Sequence, residues 1–198
     1  MKKTLLSFFI YIIGIIVYSF INISTNEVIS TLTYIFIYLA LFLVLYFINN
    51  IDYKKKITLE DLKYTAIYLT IGCILIYIST NIINKIIDLP QNEIALREIS
   101  NAHPIRFLIS ILIYSPLIEE ILFRHNFNFI KNKYLYLIIT SALFAILHIN
   151  SKSELLYLIP YTILGLIFGL TYKKSDNLLL STLTHSTYNL ISFIILII

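Results

Sequence analysis

The chain has 198 residues, of which 59% are hydrophobic and only 13% charged, and its mean hydropathy is +0.85. A soluble domain carries about 25% charged residues, so a soluble globular protein is excluded, and without alternating short strands a transmembrane barrel is excluded as well. The net charge of +4 comes from basic residues in connecting segments, where they set topology; it implies no nucleic-acid partner, and the lipid bilayer is the partner this composition demands.

Apolar runs of about 20 residues, each enough to cross a hydrocarbon core of about 30 Å, predict an all-α, polytopic membrane helix bundle with about seven transmembrane helices. The expected spans are 4–22, 28–48, 62–84, 106–130, 134–149, 155–172 and 178–198. The first follows two lysines, as a signal peptide would, but the run is long and no A-x-A site follows it, so it is expected to remain as a span. Cys73, the single cysteine, lies in the third run and reads as a small core residue.

Before the fourth run, "ALREIS" after Pro90 suggests a short interfacial helix. Pro116 removes a backbone donor and should kink the fourth span. "GLIFG", Gly165 to Gly169, has the small-xxx-small spacing of closely packed membrane helices. Ten lysines from Lys2 to Lys174, Lys54 among them, fall on one side of the bundle. Lys85, Arg97, Arg106 and Lys152 fall on the other. That bias puts the N-terminus in the cytoplasm. A short chain rich in Ile, Asn and Lys suits a bacterial cell membrane.

The chain divides near residue 100. Spans in 1–100 carry almost no ionisable residue at depth, whereas those in 101–198 carry Glu119, Glu120, Arg124, His148 and His185. A charge at the centre of a membrane helix costs about 2.5–3.5 kcal/mol, so these need a reason. Residues four apart share a helix face. Glu120 therefore lies over Arg124, Phe144 over His148, and His185 over Asn189. Glu119 is turned about 100° from Glu120 and is left free, while Glu120 and Arg124 read as a structural pair.

Depth can be counted from the turns. With "HNFNFI" continuing the fourth helix to a turn near 132, Glu119 and His148 lie about 20 and 24 Å up their two arms, and His185 and Asn189 about 15 and 21 Å above a turn near Ser175. A carboxylate, two imidazoles and an amide at one level can take a proton from water and stabilise an oxyanion. The same carboxylate and imidazoles, Glu119, His148 and His185, can instead bind zinc or another divalent metal. Interhelical hydrogen bonding, or a proton pathway in a small proton-coupled transporter, are the alternatives these residues leave open. There is no H-E-x-x-H, no G-x-S-x-G around a membrane serine and no aspartate deep in a span, which sets other intramembrane protease chemistries aside.

E-E-x-x-F-R at Glu119–Arg124, F-x-x-x-H at Phe144–His148 and H-x-x-x-N at His185–Asn189, in that order on separate helices, resemble the CAAX protease and bacteriocin-processing (CPBP, or Abi) family. Its members are integral-membrane endopeptidases related to type II CAAX prenyl endopeptidases. The resemblance covers 104–198 and implies that 101–198 is the catalytic core. It also implies a role for each position. Glu119 and His148 would activate water, and His185 and Asn189 would hold the oxyanion. Glu120, Arg124 and Phe144 would support the site. The substrate would be a peptide or membrane-associated protein, with bacteriocin processing or self-immunity as associated roles. Both a metalloprotease and a metal-free glutamate mechanism are argued for the family. A non-enzymatic immunity or scaffold protein on the same fold is the competing reading.

Overall fold

The computed structural model describes residues 2–20, 26–53 and 55–197. Lys54 and the ends of the first and last expected spans, 21–22 and 198, lie outside them. Among the described residues the regular structure is helical: α1 Lys2–Phe20, α2 Glu27–Asn49, α3 Leu59–Ile83, α4 Gln91–Ala102, α5 Pro104–Ile109, α6 Ser115–Phe123, α7 Lys133–Ile146, α8 Leu158–Ser175 and α9 Leu178–Ile197.

Polar residues in the connections start and stop these helices. Asn26 accepts from the N–H groups of Val28 and Ile29 to cap α2. Thr58 and Asp61 form a capping box on α3. Asn132 caps α7, and Asn177 accepts from Leu180 N at 3.1 Å to start α9. Each satisfies amides that have no partner inside the helix. Asn50 and Asp176 end α2 and α8 in the left-handed region, at φ 51° and 48°, a conformation that asparagine and aspartate tolerate better than most residues.

Among the described residues five helical segments are long and apolar enough to cross a membrane: Lys2–Ser19, Glu27–Asn49, Leu59–Ile83, Lys152–Ser175 and Leu178–Ile195. Two of the expected spans are different in kind. α7 is apolar but shorter, and the fourth is α5 and α6 joined through a π-helical turn, Ser110–Tyr114. The expected interfacial helix is α4, which buries no residue. The chain is an integral membrane protein built as a helical bundle.

The fourth span departs from expectation in two places. "HNFNFI" does not continue the helix: α6 ends at Phe123 and a 3-10 turn, His125–Phe127, follows. Its polar groups turn to α1 and α2 instead. Asn126 O accepts from Thr4 Oγ1 at 3.0 Å, and His125 Nε2 lies 3.3 Å from Asn49 O. Bonds of this kind compete with the helical ladder. The kink expected at Pro116 is a π turn before it, in which Ser115 N–H reaches back to Ser110 O. Pro116 has no N–H to offer Leu112 O. The carbonyls of Ile111 and Leu112 are thereby opened toward α9, where Asn189 Nδ2 and Ser186 Oγ each donate to one of them at 2.8 Å.

Candidate active site

α6 carries Glu119 and Glu120 on different faces, as the helical period requires. Glu120 points into the protein and is fully buried, as is Arg124 one turn on. Arg124 Nε donates to Glu120 Oε2 at 3.3 Å. The remaining guanidinium nitrogens have no hydrogen-bond partner among the described residues. The group lies instead over the rings of Phe144 and Phe168, 5.4 and 6.0 Å from their centroids, where the ring faces attract it.

Glu120 does more than pair with Arg124. Ser181 Oγ donates to its Oε2 at 2.5 Å, and His185 Nδ1 donates to its Oε1 at 3.2 Å. Ser181 and His185 are four apart on α9, so both meet Glu120 from one face. With its Nδ1 proton held by Glu120, neutral His185 leaves Nε2 as the acceptor. That nitrogen faces Glu119 Oε2 at 3.9 Å. The ring is stacked on Phe168, with centroids 4.3 Å apart.

His148 reaches the same point by another route. α7 ends at Ile146, so the carbonyl of Phe144 is free of the helical ladder, and His148 Nδ1 donates to it at 2.7 Å. Nε2 again becomes the acceptor and faces Glu119 Oε2 at 4.0 Å. Phe144 and Tyr161 hold the ring from either side, at 4.4 and 4.8 Å between centroids.

Glu119 is therefore the centre. Its Oε1 accepts a hydrogen bond from Ser115 Oγ, one turn earlier. Its Oε2 is buried, has no hydrogen-bond partner among the described residues and faces two imidazole acceptors. Three acceptors that converge cannot bond to one another; they require something with protons, or a cation, between them. The donor types suit zinc, but the spacing does not. Ligands about 2.1 Å from a tetrahedral ion lie about 3.4 Å apart, not 3.9 and 4.0 Å. Among the described residues no group of three His, Cys, Asp or Glu side chains is placed to hold an ion. A water, whose partners sit about 2.8 Å away, spans these separations.

Glu119, His148, His185 and Asn189 line one cavity of about 660 Å³, which extends past α3 and α4. Asn189, like the others, is already held by one hydrogen bond, its amide donating to Ile111 O. The sequence reading left out Ser115, Ser181, Tyr161 and Phe168. Ser115 and Ser181 sit one turn before Glu119 and His185, and that spacing was the available signal. The aromatic partners carry no signal in an apolar run. His103 pairs with Glu27 at 2.8 Å and His125 with Asn49 O, both outside the cavity lining.

Residues 101–191 match the family model described as type II CAAX prenyl endopeptidase Rce1-like. The chain is 31% identical over 165 residues to UPF0177 protein YxdF of Lactococcus lactis subsp. lactis, a match that covers 77% of this chain and 90% of that protein. It is 41% identical over 93 residues to an uncharacterized protein of Mycoplasma capricolum subsp. capricolum, covering 46% of this chain and 27% of that one. No solved structure matches it. The matched region holds the Glu119–Arg124, Phe144–His148 and His185–Asn189 motifs, and the chain belongs to the CAAX protease and bacteriocin-processing family, that of the CAAX-type intramembrane proteases.

Proposed function

We propose that the protein is an intramembrane endopeptidase that hydrolyses a peptide bond in a peptide or protein tail entering the cavity from the bilayer. The observation that carries this reading is the approach of His148 Nε2 and His185 Nε2 to the unpartnered Glu119 Oε2. A water between them loses a proton to Glu119, with His148 as the second acceptor, and its oxygen attacks the carbonyl carbon. The proton taken by Glu119 passes on to His185 Nε2, 3.9 Å away, and the developing oxyanion is met by that N–H and by the second amide hydrogen of Asn189. Charge supports that state. Arg124 and a cationic His185 balance Glu119 and Glu120, which leaves the buried cluster neutral, as a low-dielectric site favours. When the C–N bond breaks, that proton returns from His185 by way of Glu119 to the leaving amine, so proton and oxygen both come from one water.

In this reading 101–198 forms the catalytic core and 1–100 closes it from one side. The N-terminus is cytoplasmic in a bacterial cell membrane. Single cysteines at Asn132 and Lys174 would then both react with an impermeant thiol reagent from the cytoplasmic side.

The test is Glu119→Gln, which keeps the size of the side chain and removes the base. The purified full chain in proteoliposomes is assayed against a quenched-fluorescent peptide library. Cleavage by the unsubstituted protein should vanish in Glu119→Gln at an unchanged melting temperature. Wild-type cleavage per folded molecule in Glu119→Gln would refute the reading and favour a scaffold.

A further inference from the structure

Glu119 borders two cavities. Besides the large one, a smaller cavity of about 80 Å³ lies on the α1–α2 side, lined by Tyr11, Tyr34, Tyr38, Ser110, Ser115 and Glu119, with Ile118 as the apolar exception. A water needs about 10–15 Å³ of such space and two to four polar partners; this cavity offers room for several. Ser115 lines both cavities and holds Glu119 Oε1 between them.

The polar wall continues away from Glu119. Tyr34 OH donates to Ser110 Oγ at 2.8 Å. Tyr18 packs against Tyr34 and Tyr38 and accepts from Arg106 Nη1 at 3.3 Å, which also donates to Ser30 Oγ at 2.8 Å. Beyond it, Glu27 accepts from the amides of Ile105 and Arg106 and pairs with His103. Hydroxyls and charges thus run from Glu119 to the N-terminal ends of α2 and α5. Packing alone needs no such run, since apolar side chains fill membrane helix interfaces without unmet polar groups.

A peptide seated in the large cavity displaces the water there, yet each bond cleaved consumes one water. We propose that the tyrosine-lined cavity binds the waters on which Glu119 draws, so that water reaches the site from the α1–α2 side while the peptide occupies the other. Tyr11 and Tyr38 are positioning residues for that water. The inference rests on the endopeptidase reading for its kinetic part only.

The test uses Tyr11→Phe, Tyr38→Phe and the double variant in the full chain. Phenylalanine keeps the ring, including the stack of Tyr38 on Tyr34 at 4.2 Å, and removes the hydroxyl. Each hydroxyl lost should lower kcat roughly tenfold, leave KM unchanged and raise the solvent deuterium isotope effect, which loss of packing alone would not do. A second readout needs no substrate. The infrared band of the Glu119 carboxyl, isolated by subtracting the Glu119→Gln spectrum, should shift in the double variant. Ser110→Ala should shift it too, and serves if a tyrosine variant does not fold. An unshifted band in a folded variant overturns the water site. A shifted band with wild-type kcat and isotope effect overturns its role in supply. If the unsubstituted protein cleaves nothing, the endopeptidase reading fails while the band still decides the water site.

Discussion

Glu120 Oε1 and His185 Nδ1 lie 3.2 Å apart across 65 residues of sequence, and that contact ties a structural pair to the proposed chemistry. One carboxylate balances Arg124 with Oε2 and fixes the ring of His185 with Oε1. Glu120→Gln breaks both. Arg124 loses its counter-ion at a fully buried site, and breaking a buried pair costs roughly 3–5 kcal/mol. Where the amide nitrogen turns to His185, Nδ1 must become the acceptor and Nε2 the proton carrier. The expected outcome is a lower melting temperature together with reduced cleavage per folded molecule. A drop in stability alone would confine Glu120 to the pair with Arg124.

Asn189 and Ser186 make parallel contacts, on Ile111 O and Leu112 O, but only Asn189 also lines the cavity. Removing either donor strands a carbonyl that the π turn has opened, at about 1–3 kcal/mol. Loss of an oxyanion donor costs about 10²–10³ in rate besides. Asn189→Ala and Ser186→Ala should therefore both melt earlier, and only Asn189→Ala should lose kcat on that scale. Equal kcat in the two variants would leave Asn189 a strut between α9 and the π turn.

The helical period alone put Glu120 under Arg124 and His185 on the same face as Asn189, because those pairs lie within one helix. Counting residues from the turns put Glu119, His148, His185 and Asn189 at one depth on the premise that "HNFNFI" continues the fourth helix; α6 ends at Phe123 instead, so that count does not explain the approach of His148 and His185 to Glu119. What the sequence hid is non-local or chemically quiet. The end of α6 at Phe123 depends on Thr4 and Asn49, 122 and 76 residues from their partners. Pro116 announces a disturbed helix but not the π turn, whose carbonyls are met from α9. Ser115 and Ser181 look like helix filler until a carboxylate is found one turn away or on another helix.

The separations around Glu119 Oε2 carry a prediction about metal. If a water rather than an ion sits between Glu119, His148 and His185, cleavage should persist after prolonged treatment with EDTA and 1,10-phenanthroline, and the purified protein should hold zinc well below one equivalent by mass spectrometry. Loss of activity on chelation, restored by zinc in proportion to metal bound, would show that the three side chains close by about half an ångström around an ion.

Two glycines one turn apart on α8 should respond differently to alanine. A Cβ at Gly165 would stand 2.7 Å from Ser141 Cα and 3.1 Å from Ser141 O, both backbone atoms of α7. Helix α7 would have to move, and overpacking of this kind costs about 1–3 kcal/mol. At Gly169 the nearest atom is Leu137 Cδ2 at 3.0 Å, the tip of a side chain that can turn aside. There the gain of up to about 1 kcal/mol from replacing glycine within a helix offsets the contact. Gly169→Ala should accordingly leave the melting temperature nearly unchanged, and Gly165→Ala should lower it. The second effect reaches the site as well. His148 sits at the end of α7 against Tyr161 of α8, ring centroids 4.8 Å apart, so parting the two helices draws its Nε2 from Glu119. Gly165→Ala should thus lose cleavage per folded molecule in addition to stability. A Gly165→Ala protein as stable and as active as the original would show that α7 and α8 tolerate a wider spacing than their packing indicates.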